Sequence, residues 1–134
     1  MSDPSGPRVP LALVVEDRQT IRQLLDIALS QEGLRVVGAA TADQALEAAI
    51  NEIPDIVLVD LLLPGRRGEA LISALRQLPG GDRVPVIVLS AVEGGLAASR
   101  AAGAQDFLAK PFDLRELAER VRRHLGATEP SALG

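Results

Sequence analysis

The stretch Pro54–Leu71, PDIVLVDLLLPGRRGEAL, determines the fold class of this chain. Its first part, Ile56–Val59, is a continuous apolar run, which is typical of a parallel strand covered on both faces. An acidic residue, Asp60, ends this run. Beyond a Pro-Gly pair, apolar residues recur with helical spacing over Glu69–Gln77. The stretch therefore predicts a buried strand, a connection and a helix.

The same alternation of strand and helix recurs along the whole chain. Further strands are predicted at Val9–Val15, Arg35–Ala39, Val86–Leu89 and Asp106–Ala109. Helical spacing extends from Ile21 to Leu29, from Ala42 to Ile50 and from Leu114 to Leu125. A helix over Glu93–Ala102 is the weakest of these predictions, because Gly94 and Gly95 disfavour it and only Leu96 is a large apolar anchor. Five βα units favour an α/β fold with a parallel sheet and right-handed crossovers.

Composition limits the classes of function. The 134 residues suit one domain. We expect it at residues 9–126, between a flexible N-terminal segment (1–8) and a C-terminal tail or linker start (127–134). The absence of cysteine excludes a thiolate metal site. A net charge of −4 and only two aromatic residues argue against nucleic-acid binding. No apolar run is long enough to span a membrane, and we expect a cytoplasmic protein.

Polar residues stand where the predicted strands end. Glu16 and Asp17 follow the first strand, Asp60 the third, Ser90 the fourth and Lys110 the fifth. Ligands of such sheets bind beyond the carboxyl ends of the strands, so these side chains should meet there. Three adjacent carboxylates need a compensating cation, and their oxygens suit Mg²⁺ or Mn²⁺. A lysine and a hydroxyl can add contacts to a phosphoryl group, and a carboxylate nucleophile completes the requirements for phosphoryl transfer.

Four stretches with these residues resemble the receiver domain of two-component response regulators. They are VVEDRQTIR (14–22), the stretch quoted first, VIVLSA (86–91) and AGAQDFLAKPF (102–112). The resemblance covers roughly residues 9–126. It implies a doubly wound, flavodoxin-like five-stranded sheet with strand order 2-1-3-4-5.

The resemblance also implies a role for individual residues. Asp60 would be the phosphoacceptor, with Pro64 and Gly68 at the family's positions four and eight residues further on. The metal would be held by Glu16, Asp17, Asp60 and the backbone carbonyl of Leu62. The phosphoryl oxygens would be bound by Ser90, Ala91 and Lys110. Ser90 and Phe107 would form the switch, and Pro111 would follow a cis peptide bond.

The partners implied by the resemblance are proteins. A sensor histidine kinase or a phosphotransfer protein would supply the phosphoryl group. The surface of the fourth helix, fifth strand and fifth helix would act on a downstream protein or output domain. A second copy of the chain, forming a homodimer, is a further candidate partner. The chain would be no enzyme beyond its own phosphorylation and dephosphorylation, and it would bind neither membrane nor nucleic acid.

The chain departs from the family pattern at three positions. Its metal-binding pair is Glu-Asp rather than Asp-Asp. Leu62 and Val92 are apolar at two positions that tune the lifetime of the phosphoryl group in the family, so dephosphorylation is expected to be slow.

Other interpretations stay open at this stage. Asp17 alone could cap a helix, Asp60 could be a turn residue, and Ser90 and Lys110 could be ordinary surface groups. His124 is better explained by the dipole of a helix C-terminus than by phosphohistidine chemistry. A phosphatase with an aspartyl-phosphate intermediate usually needs a second acid where Leu62 stands. A receiver-like scaffold that works without phosphorylation usually lacks one of the site residues.

Overall fold

Strands and helices alternate regularly in the computed structural model, which describes residues 9–63, 67–91 and 94–126. Its strands are β1 (Leu11–Val15), β2 (Arg35–Ala39), β3 (Ile56–Asp60), β4 (Val86–Ser90) and β5 (Asp106–Ala109). Its α-helices are α1 (Gln19–Gln31), α2 (Ala42–Asn51), α3 (Gly68–Arg76), α4 (Gly95–Ala102) and α5 (Leu114–Gly126). A short 3₁₀ helix over Gly81–Arg83 precedes β4.

The strands form one parallel sheet in the order β2-β1-β3-β4-β5. This confirms the predicted fold class and strand order. Every residue of β1, β3 and β4 is buried, as their continuous apolar runs predicted. The order reverses between β1 and β3, which places a crevice at the carboxyl ends of these two strands.

Alternate residues of each central strand point to opposite faces of the sheet. On one face Leu13, Val57 and Val88 belong to a core with residues of α2 and α3. On the other face Val14 and Leu58 belong to a core with residues of α1 and α5. Two apolar layers thus fix the strand ends relative to each other. The polar residues at these ends are therefore held in fixed relative positions as well.

Helix α4 forms although its sequence signals were weak. Gly94 (φ +80°) and Gly103 (φ +99°) take left-handed conformations at its two ends, which glycine adopts without steric cost. Leu96, the expected anchor, is 45% exposed. The helix instead buries Ser99 and packs Ala98 and Ala102 against the core, so small residues let it approach the sheet closely.

Other boundaries differ from the prediction by one or two residues. The first strand begins at Leu11 rather than Val9, and α4 begins at Gly95. Pro64, Val92, Glu93 and the terminal segments 1–8 and 127–134 lie outside the described residues.

Candidate functional site

Three carboxylates meet at the carboxyl ends of β1 and β3. Glu16 and Asp17 follow β1, and Asp60 is the last residue of β3. One oxygen of each lies within 4.8 Å of the others. Glu16 is 1% exposed and Asp60 is 8% exposed, whereas Asp17 is exposed at the rim. The structure thus brings together the three acidic residues that the sequence singled out, two of them almost out of contact with water.

The counter-charge to this cluster is Lys110, the single lysine of the chain. Its ammonium donates to Asp60 Oδ2 at 2.8 Å and to Glu16 Oε1 at 3.0 Å. Burial alone would lower the pKa of Lys110, but the hydrogen bonds and charges of Asp60 and Glu16 outweigh burial and raise it above its ordinary value. Lys110 is therefore a permanent cation at neutral pH. The sequence pointed to Lys110 near Asp60 but gave no sign of its bond to Glu16.

Asp60 is held from two sides. Its Oδ2 faces Lys110, and its Oδ1 accepts a hydrogen bond from the Leu62 amide at 2.9 Å. The Leu62 side chain, in contrast, is 53% exposed. Position 68 must be glycine, because a Cβ there would lie 2.6 Å from the Asp60 carbonyl oxygen and 2.9 Å from the Leu61 Cα. Helix α3 can therefore begin against the end of β3 only with glycine at this position.

Glu16 is fixed at several of its polar atoms. Its Oε2 accepts from the Arg18 amide at 3.2 Å, and its backbone carbonyl accepts from the Arg22 guanidinium at 2.8 Å. The N-cap of α1 is Arg18 and not Asp17, so the interpretation of Asp17 as a helix cap does not apply. The role of Arg22 was not predicted, since a side chain bonded to a backbone carbonyl leaves no recognisable sequence pattern.

Ser90 and Phe107 meet beside the first turn of α4. Ser90 ends β4 and is buried, and its carbonyl accepts from the Lys110 amide at 2.9 Å. A Cβ on Gly95 would lie 2.9 Å from Cε1 of the Phe107 ring and 3.5 Å from Ser90 Oγ. The hydroxyl, the ring and the helix start therefore share one small space. Gly95, which the sequence marked only as a helix breaker, is what allows them to do so.

An open cleft of about 780 Å³ leads to the cluster. Its lining includes Asp17, Asp60, Leu62, Ala91 and Lys110. The peptide bond between Lys110 and Pro111 is cis, the geometry that the resemblance implies. An anionic group entering this cleft would meet Lys110 and Ala91, with the carboxylates of Asp17 and Asp60 beside them.

His124 lies elsewhere. Its Nε2 is 3.0 Å from Oδ2 of Asp106, the first residue of β5, which also accepts from Arg120 at 2.6 Å. Asp106 stands at the amino end of its strand, at the opposite edge of the sheet from the acidic cluster. This arrangement explains His124 as a partner of Asp106.

The cluster fits a hard divalent cation on the chemistry of its donors. All three groups offer carboxylate oxygens, which Mg²⁺ and Mn²⁺ prefer. One ammonium opposes three carboxylates, so the site keeps excess negative charge. Glu16, Asp17 and Asp60 are the residues that would hold the ion.

Comparison with known proteins identifies the family. Residues 12–122 match the family described as the response regulator receiver domain. This chain is a receiver domain. A putative response regulator from Chloroflexus aurantiacus superposes with a TM-score of 0.84 at 34% identity, over 89% of this chain and 99% of that one. The receiver domain of the sensor histidine kinase PA1611 from Pseudomonas aeruginosa, solved with a magnesium ion coordinated in its active-site cleft, superposes with a TM-score of 0.82 at 32% identity, over 89% and 99% of the two chains.

Curated relatives include transcriptional regulators. The KDP operon transcriptional regulatory protein KdpE of Escherichia coli is 43% identical over 127 residues, which cover 90% of this chain and 55% of that protein. The receiver domain thus spans about half the length of such a relative. Receiver domains work with histidine kinases or output domains in two-component signal transduction. Within the described residues, every helix is too short or too polar to cross a membrane.

Proposed function

We propose that this receiver domain is a phospho-switch that accepts a phosphoryl group on Asp60 from a histidine kinase or a phosphotransfer protein. The observation that carries the proposal is the environment of Asp60. Its carboxylate is held between the Lys110 ammonium and the Leu62 amide, with the Glu16 and Asp17 carboxylates beside it. A fixed carboxylate that lines a cleft is oriented to act as a nucleophile.

In the transfer step an Asp60 oxygen forms a bond to phosphorus while the phosphorus–nitrogen bond of a phosphohistidine breaks. The electron pair of that bond stays on the imidazole, which then takes up a proton. The transferred group passes through a loose transition state whose charge lies on its outer oxygens. Lys110 stays protonated and can stabilise that charge. A bound divalent ion would neutralise further negative charge on the phosphoryl oxygens.

Glu16, Asp17, Asp60 and the Leu62 carbonyl are the proposed metal ligands. The PA1611 receiver domain, in which a magnesium ion is coordinated in the active-site cleft, supports Mg²⁺ as the ion. Glu16 and Asp60 also hold Lys110, and a metal must compete with that ammonium or share the carboxylates with it.

The Ser90 hydroxyl and the Ala91 amide are proposed to bind the phosphoryl oxygens together with Lys110. Movement of Ser90 toward the phosphoryl group would change the space that it shares with Phe107 and Gly95. The fraction of molecules with Ser90 moved inward rises only as far as the phosphoryl group binds that arrangement more tightly than the outward one. The resemblance to receiver domains makes α4, β5 and α5 the proposed output surface. The relationship to KdpE favours transcription as the controlled process.

Asp60→Asn tests the proposal directly. Incubation with acetyl phosphate and Mg²⁺ should add one phosphoryl group to the unmodified protein, as measured by intact mass. Asp60→Asn should add none, and chelation of the metal should abolish the gain. Asp82→Asn, at an exposed position, is the matched control and should be modified normally. Phosphorylation of Asp60→Asn to the normal extent would refute the assignment.

A further inference from the structure

The turn that carries Glu16 and Asp17 lacks a side-chain cap on the helix that follows it. The N-cap of α1, Arg18, makes no side-chain capping bond, and the first turn of α1 contains no acidic residue. Such caps are the usual way in which the chain entering a helix is fixed. This turn therefore depends on other contacts to hold its shape.

Arg22 supplies one of those contacts. Its guanidinium reaches back from the second turn of α1 and donates to the Glu16 carbonyl at 2.8 Å. On its other side, the Glu16 amide donates to the Ala39 carbonyl at the end of β2 at 3.0 Å. The backbone of Glu16 is thus held by one bond from the sheet and one from α1. That backbone sets where the Glu16 and Asp17 side chains start, and the Arg18 amide and the Lys110 ammonium then hold the Glu16 carboxylate itself.

Gly38 in β2 makes room for this contact. A Cβ at Gly38 would lie 3.1 Å from Arg22 Cδ and 3.3 Å from Arg22 Cγ, so the arginine stem runs directly over the glycine. The φ of Gly38 is not in the left-handed region, so the backbone itself does not require glycine there. The missing side chain matters because it lets the Arg22 stem lie flat and reach Glu16.

We propose that Arg22, seated on Gly38, is a positioning residue for the divalent-metal site. It acts through the Glu16 carbonyl to hold the two carboxylates of the turn in the arrangement that receives the ion. The inference rests on the proposed function, in which Glu16 and Asp17 are metal ligands. Residues that orient metal ligands in this way commonly change metal affinity by one to two orders of magnitude when substituted.

Two substitutions disturb the contact by different routes. Arg22→Met keeps an apolar stem but removes the donor, and Gly38→Val keeps the arginine but occupies the space of its stem. Gly38 lies in an edge strand and is exposed, where a β-branched residue is well tolerated. Arg22→Lys retains a cationic donor. Arg35→Met is the matched control, since it breaks an exposed ion pair with Glu52 on the surface.

The measurement is the dissociation constant of Mg²⁺ by isothermal calorimetry, because the chain has no tryptophan to report binding. Each protein is measured well below its own melting temperature. Arg22→Met and Gly38→Val should bind Mg²⁺ roughly 10-fold more weakly than the unmodified protein. Arg22→Lys should recover part of that loss, and Arg35→Met should bind normally.

The outcomes separate this inference from the proposed function. Normal Mg²⁺ affinity in both Arg22→Met and Gly38→Val, with or without a lower melting temperature, would overturn the positioning role and leave the metal site intact. If Arg22→Met does not fold, the affinity of Gly38→Val decides. Failure of the unmodified protein to bind Mg²⁺ would instead contradict the proposed metal site, and the role of Arg22 would fall with it.

Discussion

Replacement of Lys110 by methionine removes the only cation that pairs with the carboxylates of the acidic cluster within the described residues. Methionine keeps a similar unbranched stem but no charge. Glu16, whose side chain is 1% exposed, and Asp60, whose side chain is 11% exposed, would then face each other across an apolar group. Without a divalent ion, we expect this substitution to destabilise the fold substantially.

The size of the effect follows from the two ion pairs. At 2.8 and 3.0 Å, with an effective dielectric constant of about 20, each attraction is worth roughly 6 kcal/mol before desolvation is subtracted. Removal of one partner of a buried pair typically costs about 3–5 kcal/mol. Since the Lys110 side chain is 17% exposed, we expect a loss of about 2–4 kcal/mol in the free energy of unfolding. That is a large share of the roughly 5–15 kcal/mol of a typical domain.

A divalent ion should reverse this loss, because it replaces the missing positive charge. At a free concentration of about 100 times its dissociation constant, a ligand of the native state adds about 2.7 kcal/mol to stability. Lys110→Met should also bind Mg²⁺ more tightly than the unmodified protein, since no ammonium competes for the Glu16 and Asp60 oxygens.

The assay is urea denaturation with EDTA and with saturating Mg²⁺. Arg35→Met serves as the control for loss of an exposed charge and should cost less than about 1 kcal/mol in both conditions. The pKa of Lys110 is raised above 10.5. Its contribution is therefore complete below that pH and is lost only as the pH rises through the raised pKa, so the deficit should be constant from about pH 7 to 9. Equal stability of Lys110→Met and the unmodified protein in EDTA would refute the reasoning.

Three further substitutions test other parts of the molecule. Leu62→Asn should shorten the phosphorylated lifetime by about 10-fold, because an exposed amide beside Asp60 can hold the attacking water. The phosphorylated fraction is followed by intact mass after the phosphodonor is removed, and an unchanged rate of its loss would contradict this prediction. Burial would raise the pKa of Asp106, but the His124 bond, the Phe107 amide and the charge of Arg120 together lower it below 3.8. The stability that Asp106 contributes is thus present above about pH 4 and lost as the pH falls through the lowered pKa. The free energy of unfolding, measured as a function of pH, should be about 1–2 kcal/mol lower for Asp106→Asn than for the unmodified protein at neutral pH, and this difference should disappear in acid. A difference that does not depend on pH would argue against the pairing. Gly95→Ala should lower the free energy of unfolding by about 1–3 kcal/mol, because the added methyl group contacts the Phe107 ring. It should raise amide exchange in α4 and β5 but not in α2. An equal change in all three elements would show that the close approach does not matter.

Much of the architecture could be predicted from local patterns. The runs around Leu13, Val57 and Val88 are apolar because both faces of the sheet are covered, and this requirement is visible in the sequence. The carboxyl ends of parallel strands meet at one edge, so Glu16, Asp17 and Asp60 could be placed together without coordinates.

The contacts that tune the site could not be predicted. The bond from Lys110 to Glu16 joins residues 94 positions apart and depends on how the turn after β5 directs one flexible side chain. Arg22 binds a backbone carbonyl, which has no residue identity to recognise. Gly94 and Gly95 argue against a helix locally. In the structure Gly94 takes a left-handed conformation at the N-cap of α4, and the missing side chain of Gly95 lets the helix begin against Phe107, so packing prevailed over helix propensity.

The chemical identity of the phosphorylated residue tests the central claim most directly. The protein is phosphorylated with acetyl phosphate and Mg²⁺ and then reduced with borohydride, which converts an aspartyl phosphate to homoserine. Peptide mass spectrometry then locates the change. We predict homoserine at position 60 and no other modified residue. A phosphoryl group on Ser90 or His124, with Asp60 unchanged, would contradict the account.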